Sequence, residues 1–176
     1  MVDYRAIEEA DAALRKSERV LQHHMGDAHG LDVLENSGNP GASKSGKIKS
    51  RFLKALPSAE FIREATFLLE SALAEKANAK IILACLQQQL YPRSRYNFDI
   101  SKRVFLSDIL DLLEEENAVC CLAVYRAIRS ISLRASFVPP AGQIVDAIQG
   151  EEAGLISMQS GLARIAQYLS EGAPRS

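Results

Sequence analysis

Apolar residues along this chain return every three or four positions, and the stretches where they do so predict helices almost throughout. Residues 3–24, DYRAIEEADAALRKSERVLQHH, place Tyr4, Ile7, Ala10 or Asp11, Leu14 and Leu21 at helical spacing. That stripe is thin, so the helix needs a partner to bury it, in cis or in a second subunit. Gly26 and Gly30 are expected to end it. Residues 31–57 carry an excess of Gly, Asn, Pro and Ser and read mostly as linker.

Pro57-Ser58 opens a stronger helix, with Ser58 as its expected N-cap and Glu60 in its first turn. Phe61, Ala65, Leu68 and Ala72 share one face, which turns polar at EKANAK (75–80) and resumes with Ile82, Leu83, Leu86 and Leu90. The pattern allows one long helix or two with a bend, and Pro92 stops it. A helix over 101–116 is expected to turn Val104, Phe105, Ile109, Leu112 and Leu113 inward. Asn117 can cap the next, whose inner stripe is Cys121, Val124, Tyr125, Ile128 and Ile131. Pro139-Pro140 starts a short helix bearing Ile144, Val145 and Ile148, which Gly150 is expected to end. A last helix takes in Leu155, Ile156, Leu162, Ile165 and Leu169. No segment alternates with period two long enough to argue a strand. The expected fold is all-α: a small helical bundle with an N-terminal helix and linker and a C-terminal helix. Its expected parts are an N-terminal helix (1–25), a flexible linker (26–57), a connecting helix (58–78), a helical core domain (79–149) and a C-terminal helix and tail (150–176).

Composition refines this picture only slightly. Hydrophobic residues make up 47% and charged residues 24%, a globular balance, and the net charge of −1 excludes a general affinity for polyanions. The charge is unevenly placed. Lys44, Lys47, Lys49, Arg51 and Lys54 form a basic arm with no acid between them, while 108–116 hold Asp108, Asp111, Glu114, Glu115 and Glu116 with no base. The arm is either a solvated linker or a contact for nucleic acid or an acidic partner surface. Three cysteines in no framework spacing read as reduced core thiols in a cytosolic protein. Residues 1–25 alternate acids and bases without the apolar core of a signal peptide, and no run of about eighteen apolar residues offers a membrane span. A cytoplasmic location is expected.

Candidate chemistry is thin. GASKSGKI (41–48) comes within one residue of the phosphate-cradling loop G-x-x-x-x-G-K-[ST], but Ile48 stands where the metal-binding hydroxyl belongs. No apolar strand precedes it, so it reads as linker, with no nucleotide and no other cofactor expected. His23, His24, Asp27 and His29 have metal-ligand composition but no zinc spacing. Each cysteine sits in an apolar stripe far in sequence from any histidine, which argues against a nucleophile. Asp108 and Asp111 read as a solvated face. Arg126, Arg129 and Arg134 are expected to pair with the acidic helix before them. Nothing here argues for an enzyme.

Residues 83–148 carry an ordered set of motifs: LACLQQQLYPR, then FLSDILDLLEEEN, then AVCCLAVYRAIRSI, then ASFVPPAGQIVDAI. This order resembles the helical domain of the phage replicative-helicase loader-and-inhibitor family. Its members show a helix closed by Tyr-Pro, a middle helix, a helix running into a Phe-x-Pro-Pro turn, and a short helix beyond. The matching positions are Tyr91, Pro92, Leu110, Leu113, Ala123, Ala127, Ile128, Phe137, Pro139, Pro140, Ala141 and Ile144. Phe137 is expected to pack under the turn. The resemblance implies a DNA-replication accessory protein without chemistry of its own, which binds a hexameric replicative helicase and delivers or restrains it.

Two other classes stay open: an all-helical adaptor that forms homo-oligomers through residues 3–24 and 58–75, and a DNA-binding regulator using the basic arm. Leu155, Leu162, Ile165 and Leu169 fall near one side of the C-terminal helix. They either bind a partner's groove or fold back on the 58–75 helix.

Overall fold

A computed structural model describes residues 3–36, 55–93, 102–114, 119–134 and 137–172. Among them the fold is all-α, with six α-helices: α1 (Tyr4–Asn36), α2 (Ala59–Ala74), α3 (Ala79–Cys85), α4 (Lys102–Glu114), α5 (Cys121–Arg134) and α6 (Ala141–Gly172). Helix α3 runs on through a π-helical turn, Leu86–Leu90, and a 3₁₀ turn, Tyr91–Arg93. Pro92, which has no N–H to continue the ladder, falls in that last turn.

Local signals set most of the helix starts. Asp3 accepts the Ala6 N–H at 2.8 Å, and Ser58 accepts the Phe61 N–H at 3.2 Å. The polar stretch after α2 breaks the chain into two helices. Asn78 takes an extended conformation there, and its side chain accepts from Lys80 N and Ile81 N at 3.0 and 3.2 Å. The break is pinned from outside the helices. Ala77 N donates to Val119 O and Cys121 N donates to Glu75 O, both at 2.8 Å, around an isolated antiparallel bridge between Lys76 and Cys120.

Glycine misleads twice. Helix α1 passes Gly26 and Gly30 and ends at Asn36, so residues 26–36 of the expected linker are helical. Helix α6 passes Gly150, and the two helices expected on either side of it are one. An interior glycine costs a helix only about 1 kcal/mol. At Gly150 the buried side chains of Ile148 and Leu155 on the same helix outweigh that. Residues 37–54 of the expected linker lie outside the described residues.

The chain divides into two compact units. The first holds residues 1–12 and 71–156. Its centre is α5, in which every residue from Cys121 to Ile128 is buried. Helix α3 and its π turn pack along α5, and α4 packs on α3. Ile81, Ile82, Cys85, Leu86 and Leu90 contribute from the first of these, Phe105, Ile109 and Leu113 from α4, and Ile144, Val145 and Ile148 from α6. Val104 and Leu112 do not turn inward as expected. They flank the three buried residues of α4 and are exposed.

The second unit holds residues 13–70 and 157–176. Its buried side chains come from three helical segments: Leu14, Ser17 and Leu21 of α1, Ile62, Ala65 and Leu69 of α2, and Met158, Leu162, Ile165 and Tyr168 of α6. Each set recurs at three or four residues, the one-sided apolar stripe of a packed helix.

Candidate partner-binding groove

Within the first unit, α5 and the start of α6 leave an open groove of about 660 Å³. Ala127 and Ile131 of α5, Phe137 and Pro139 of the connection, and Ala147 and Gly150 of α6 supply its apolar and small lining. The helix starts here because Pro139-Pro140 ends the preceding segment and leaves the Pro140 carbonyl to accept Gln143 N and Ile144 N, at 3.1 and 3.4 Å. Positions 127 and 131, and 143, 147 and 150, each share a helix face. Small residues on both faces keep the groove open. A Cβ added at Gly150 would meet no atom within 4 Å.

Phe137 was expected to pack under the turn, but it is 56% exposed on the groove wall. The buried residue of that turn is Pro139. Arg134 lines the groove beside the connection, and Glu151 lines it ten residues into α6, about 15 Å along the helix from its start. The size suits a few side chains of one docked helix, and the lining mixes its apolar and small residues with the polar Ser130, Arg134, Gln143 and Glu151.

A polar network occupies another face of α5. The Arg126 guanidinium donates through Nε to Asp11 Oδ1 at 2.6 Å, with both side chains buried (7% and 2% exposed). Arg129 Nη1 donates to the Tyr125 hydroxyl at 2.6 Å and stands 4.0 Å from Asp11 Oδ2. The Tyr125 hydroxyl donates to Glu8 Oε1 at 3.4 Å, and its ring lies 5.6 Å from that of Tyr4. Gln89 Nε2, from the π turn, donates to the Tyr4 hydroxyl at 3.0 Å. Burial raises the Tyr125 phenol above its ordinary value, against the pull of Arg129 beside it. Arg126 and Arg129 of α5 therefore pair with Asp11 of α1, while the side chains of 114–116 in the acidic stretch expected to hold them lie outside the described residues. Asp108 and Asp111 are solvent-exposed, as a solvated face requires.

The residues expected to bind a partner on α6 are not on offer. Leu155 is buried in the first unit, Leu162 and Ile165 are buried in the second, and Leu169 is half-buried. That is burial within the chain, the alternative to a free apolar face. Lys44, Lys47, Lys49, Arg51 and Lys54 lie outside the described residues. Cys85, Cys120 and Cys121 are all buried. Burial pushes the Cys85 thiol up to about 12 and Cys121 to about 11, Cys85 being raised further by Cys121 and Cys121 by Glu75. Such thiols are poor nucleophiles at neutral pH. Among the described residues no group of three His, Cys, Asp or Glu side chains is placed to hold a metal, and no helix is long and apolar enough to cross a membrane.

Two features escaped the sequence reading. Asp11 was visible as an acid on the apolar stripe of α1, the signature of a buried charge that needs a partner. The groove left a weaker signal, in the small residues Ala147 and Gly150 at three-residue spacing. Comparison with protein-family models, curated proteins and solved structures finds no match.

Proposed function

We propose that the protein acts by holding a partner protein, that the groove between α5 and α6 is its docking surface, and that the partner is a hexameric replicative helicase. The observation that carries the docking surface is the open floor at Gly150, walled by an exposed phenylalanine. The occupant is an amphipathic helix whose apolar side chains enter between α5 and α6. It places an acid against Arg134 and a base against Glu151. The helicase itself comes from the resemblance of residues 83–148, and the protein then delivers or restrains it.

One observation favours a second reading, the oligomeric adaptor. Phe67 of α2 is 68% exposed in the second unit, a large apolar side chain that a second copy could cover. The basic arm on which the regulator reading rests, 44–54, lies outside the described residues.

Sedimentation velocity separates these readings. Titration with a hexameric replicative helicase should give a stable complex, and Gly150→Gln should abolish it while leaving the melt of the protein unchanged or higher. The substitution extends a side chain into the groove from a helix position where an added Cβ meets no atom within 4 Å. Equal helicase binding by parent and variant would remove the groove from the reading. No complex at all, with self-association lost in Phe67→Ser, would establish the adaptor.

A further inference from the structure

Residues 4–11 dock on the first unit in an unusual way. Tyr4, Ile7, Glu8 and Asp11 fall on one helical stripe, with Ile7 and Asp11 buried, Tyr4 half-buried and Glu8 exposed at its edge, and only Ile7 is a buried apolar anchor. Beyond Ile7 and the Tyr4 ring set against that of Tyr125, the contact is made by polar pairs: Tyr4 to Gln89, Glu8 to Tyr125, and Asp11 to Arg126 and Arg129. A buried ion pair is a poor source of net stability, since the desolvation of both charges opposes their attraction. Here the pair lies in the first turns of a helix, where fraying has the lowest free energy. Gln89 Oε1 is also buried without a hydrogen-bond partner, which weakens the seat further.

We infer that residues 4–11 are a detachable strap lying on an acid-binding face of α5, and that this face takes an acidic helix of a partner protein when the strap lifts. The face consists of the Tyr125 hydroxyl and the Arg126 and Arg129 guanidiniums. It reads two carboxylates three residues apart on one helix, Glu8 and Asp11. A protein helix with acids at that spacing is the ligand that the strap itself specifies. A phosphate polymer fits worse, because its affinity rests on a broad exposed basic surface. Here one of the two arginines is 7% exposed. The face is separate from the groove, so the inference stands whether or not a helicase helix docks there.

The test uses the full chain, hydrogen exchange and a peptide of residues 3–14 as the probe. In Asp11→Asn, amides of residues 4–12 should exchange roughly tenfold faster or more, while those of Leu86 and Ile128 keep their protection. The peptide should bind this variant at least about tenfold more tightly than the parent, whose own strap competes in cis. The same peptide carrying Asn at position 11 should not bind. Tyr4→Phe, which removes only the hydroxyl bonded to Gln89, should speed exchange in the same segment by less and serves if Asp11→Asn fails to fold. Unchanged exchange in the segment, or protection lost across α3 and α5 together, would make residues 4–11 ordinary core. Binding of single-stranded nucleic acid by the Asp11→Asn variant, without binding of the peptide, would overturn the ligand class.

Discussion

Residues 4–11 and 14–21 of α1 lie on one continuous stripe and are held by opposite means. In the first unit the stripe presents Tyr4, Glu8 and Asp11 to hydroxyl, amide and guanidinium partners. In the second unit it presents Leu14 and Leu21, both fully buried, with the small Ser17 between them. Apolar burial is non-directional and gains roughly in proportion to area, whereas a buried polar contact is stable only when each group finds its partner. The second unit thus depends on bulk packing, and the first adds a face that depends on specific pairing. Variants that act on one means of burial and not on the other can break or sharpen this contrast.

The largest effect should come from charging the second unit. Leu162→Asp with Ile165→Asp puts two carboxylates at positions with no solvent exposure. The expected loss is about 5 kcal/mol or more, read as a collapse of the urea midpoint. Hydrogen exchange should show Leu21 and Leu69 losing protection first. A melt within about 1 kcal/mol of the parent would mean that these side chains reach water easily. The two residues would then return as a partner surface.

These contrasts also show what the sequence made legible. The stripe of α5 was plain because apolar periodicity records burial directly, whereas the buried line of α2, Ile62, Ala65 and Leu69, runs beside the expected Phe61, Ala65, Leu68 and Ala72, and Ile156 of α6 is exposed. Ser58 and the Pro139-Pro140 start were plain because capping is local chemistry. The helix ends at Gly26 and Gly150 were misread, since a glycine's local cost is small beside the packing on either side of it. Of the site, Phe137 and the arginines were singled out, but their settings were not. Whether a phenylalanine lines a groove or a core depends on the residue facing it. Arg126 found its acid 115 positions away, and no local spacing reports such a pairing.

Alkali should separate the units next. All three cysteines belong to the first. The Cys85 thiol titrates at an ordinary 9.0 when unfolded but is held up to about 12 when folded, chiefly by burial and then by Cys121. Between those values the unfolded chain has lost the proton and the folded chain keeps it. Stability is therefore complete below pH 9 and falls as pH rises towards 12. The shift corresponds to roughly 4 kcal/mol at its upper bound. Burial raises Cys120 in the same sense. Amide protection in α3 and α5 should fall with rising pH, after correction for the intrinsic exchange rate, before that of Leu21 and Leu69. Cys85→Ala should flatten the dependence while lowering stability at neutral pH. A fall that is equally steep in both sets of helices, and unaffected by Cys85→Ala, would place the alkaline weakness elsewhere.

The smallest effects concern two glycines of the first unit that differ in setting. Gly150 and Gly154 are both interior to α6, and an added Cβ at either meets nothing within 4 Å. Replacing each by Ala should stabilise the chain by roughly 0.5–1 kcal/mol, because the unfolded chain loses conformational freedom and the helix gains no clash. The gain should appear as a small rise in urea midpoint and should add in the double variant only approximately, since the sites are one turn apart. Gly150 lines the groove and Gly154 does not. If the groove holds a partner's helix, Gly150→Ala should weaken that complex while Gly154→Ala leaves it intact. Stability and binding would then move in opposite directions at one position and not at its neighbour. A loss of stability in Gly150→Ala alone would show that the groove is closed in solution by this chain itself, and the docking surface would have to be sought on another face.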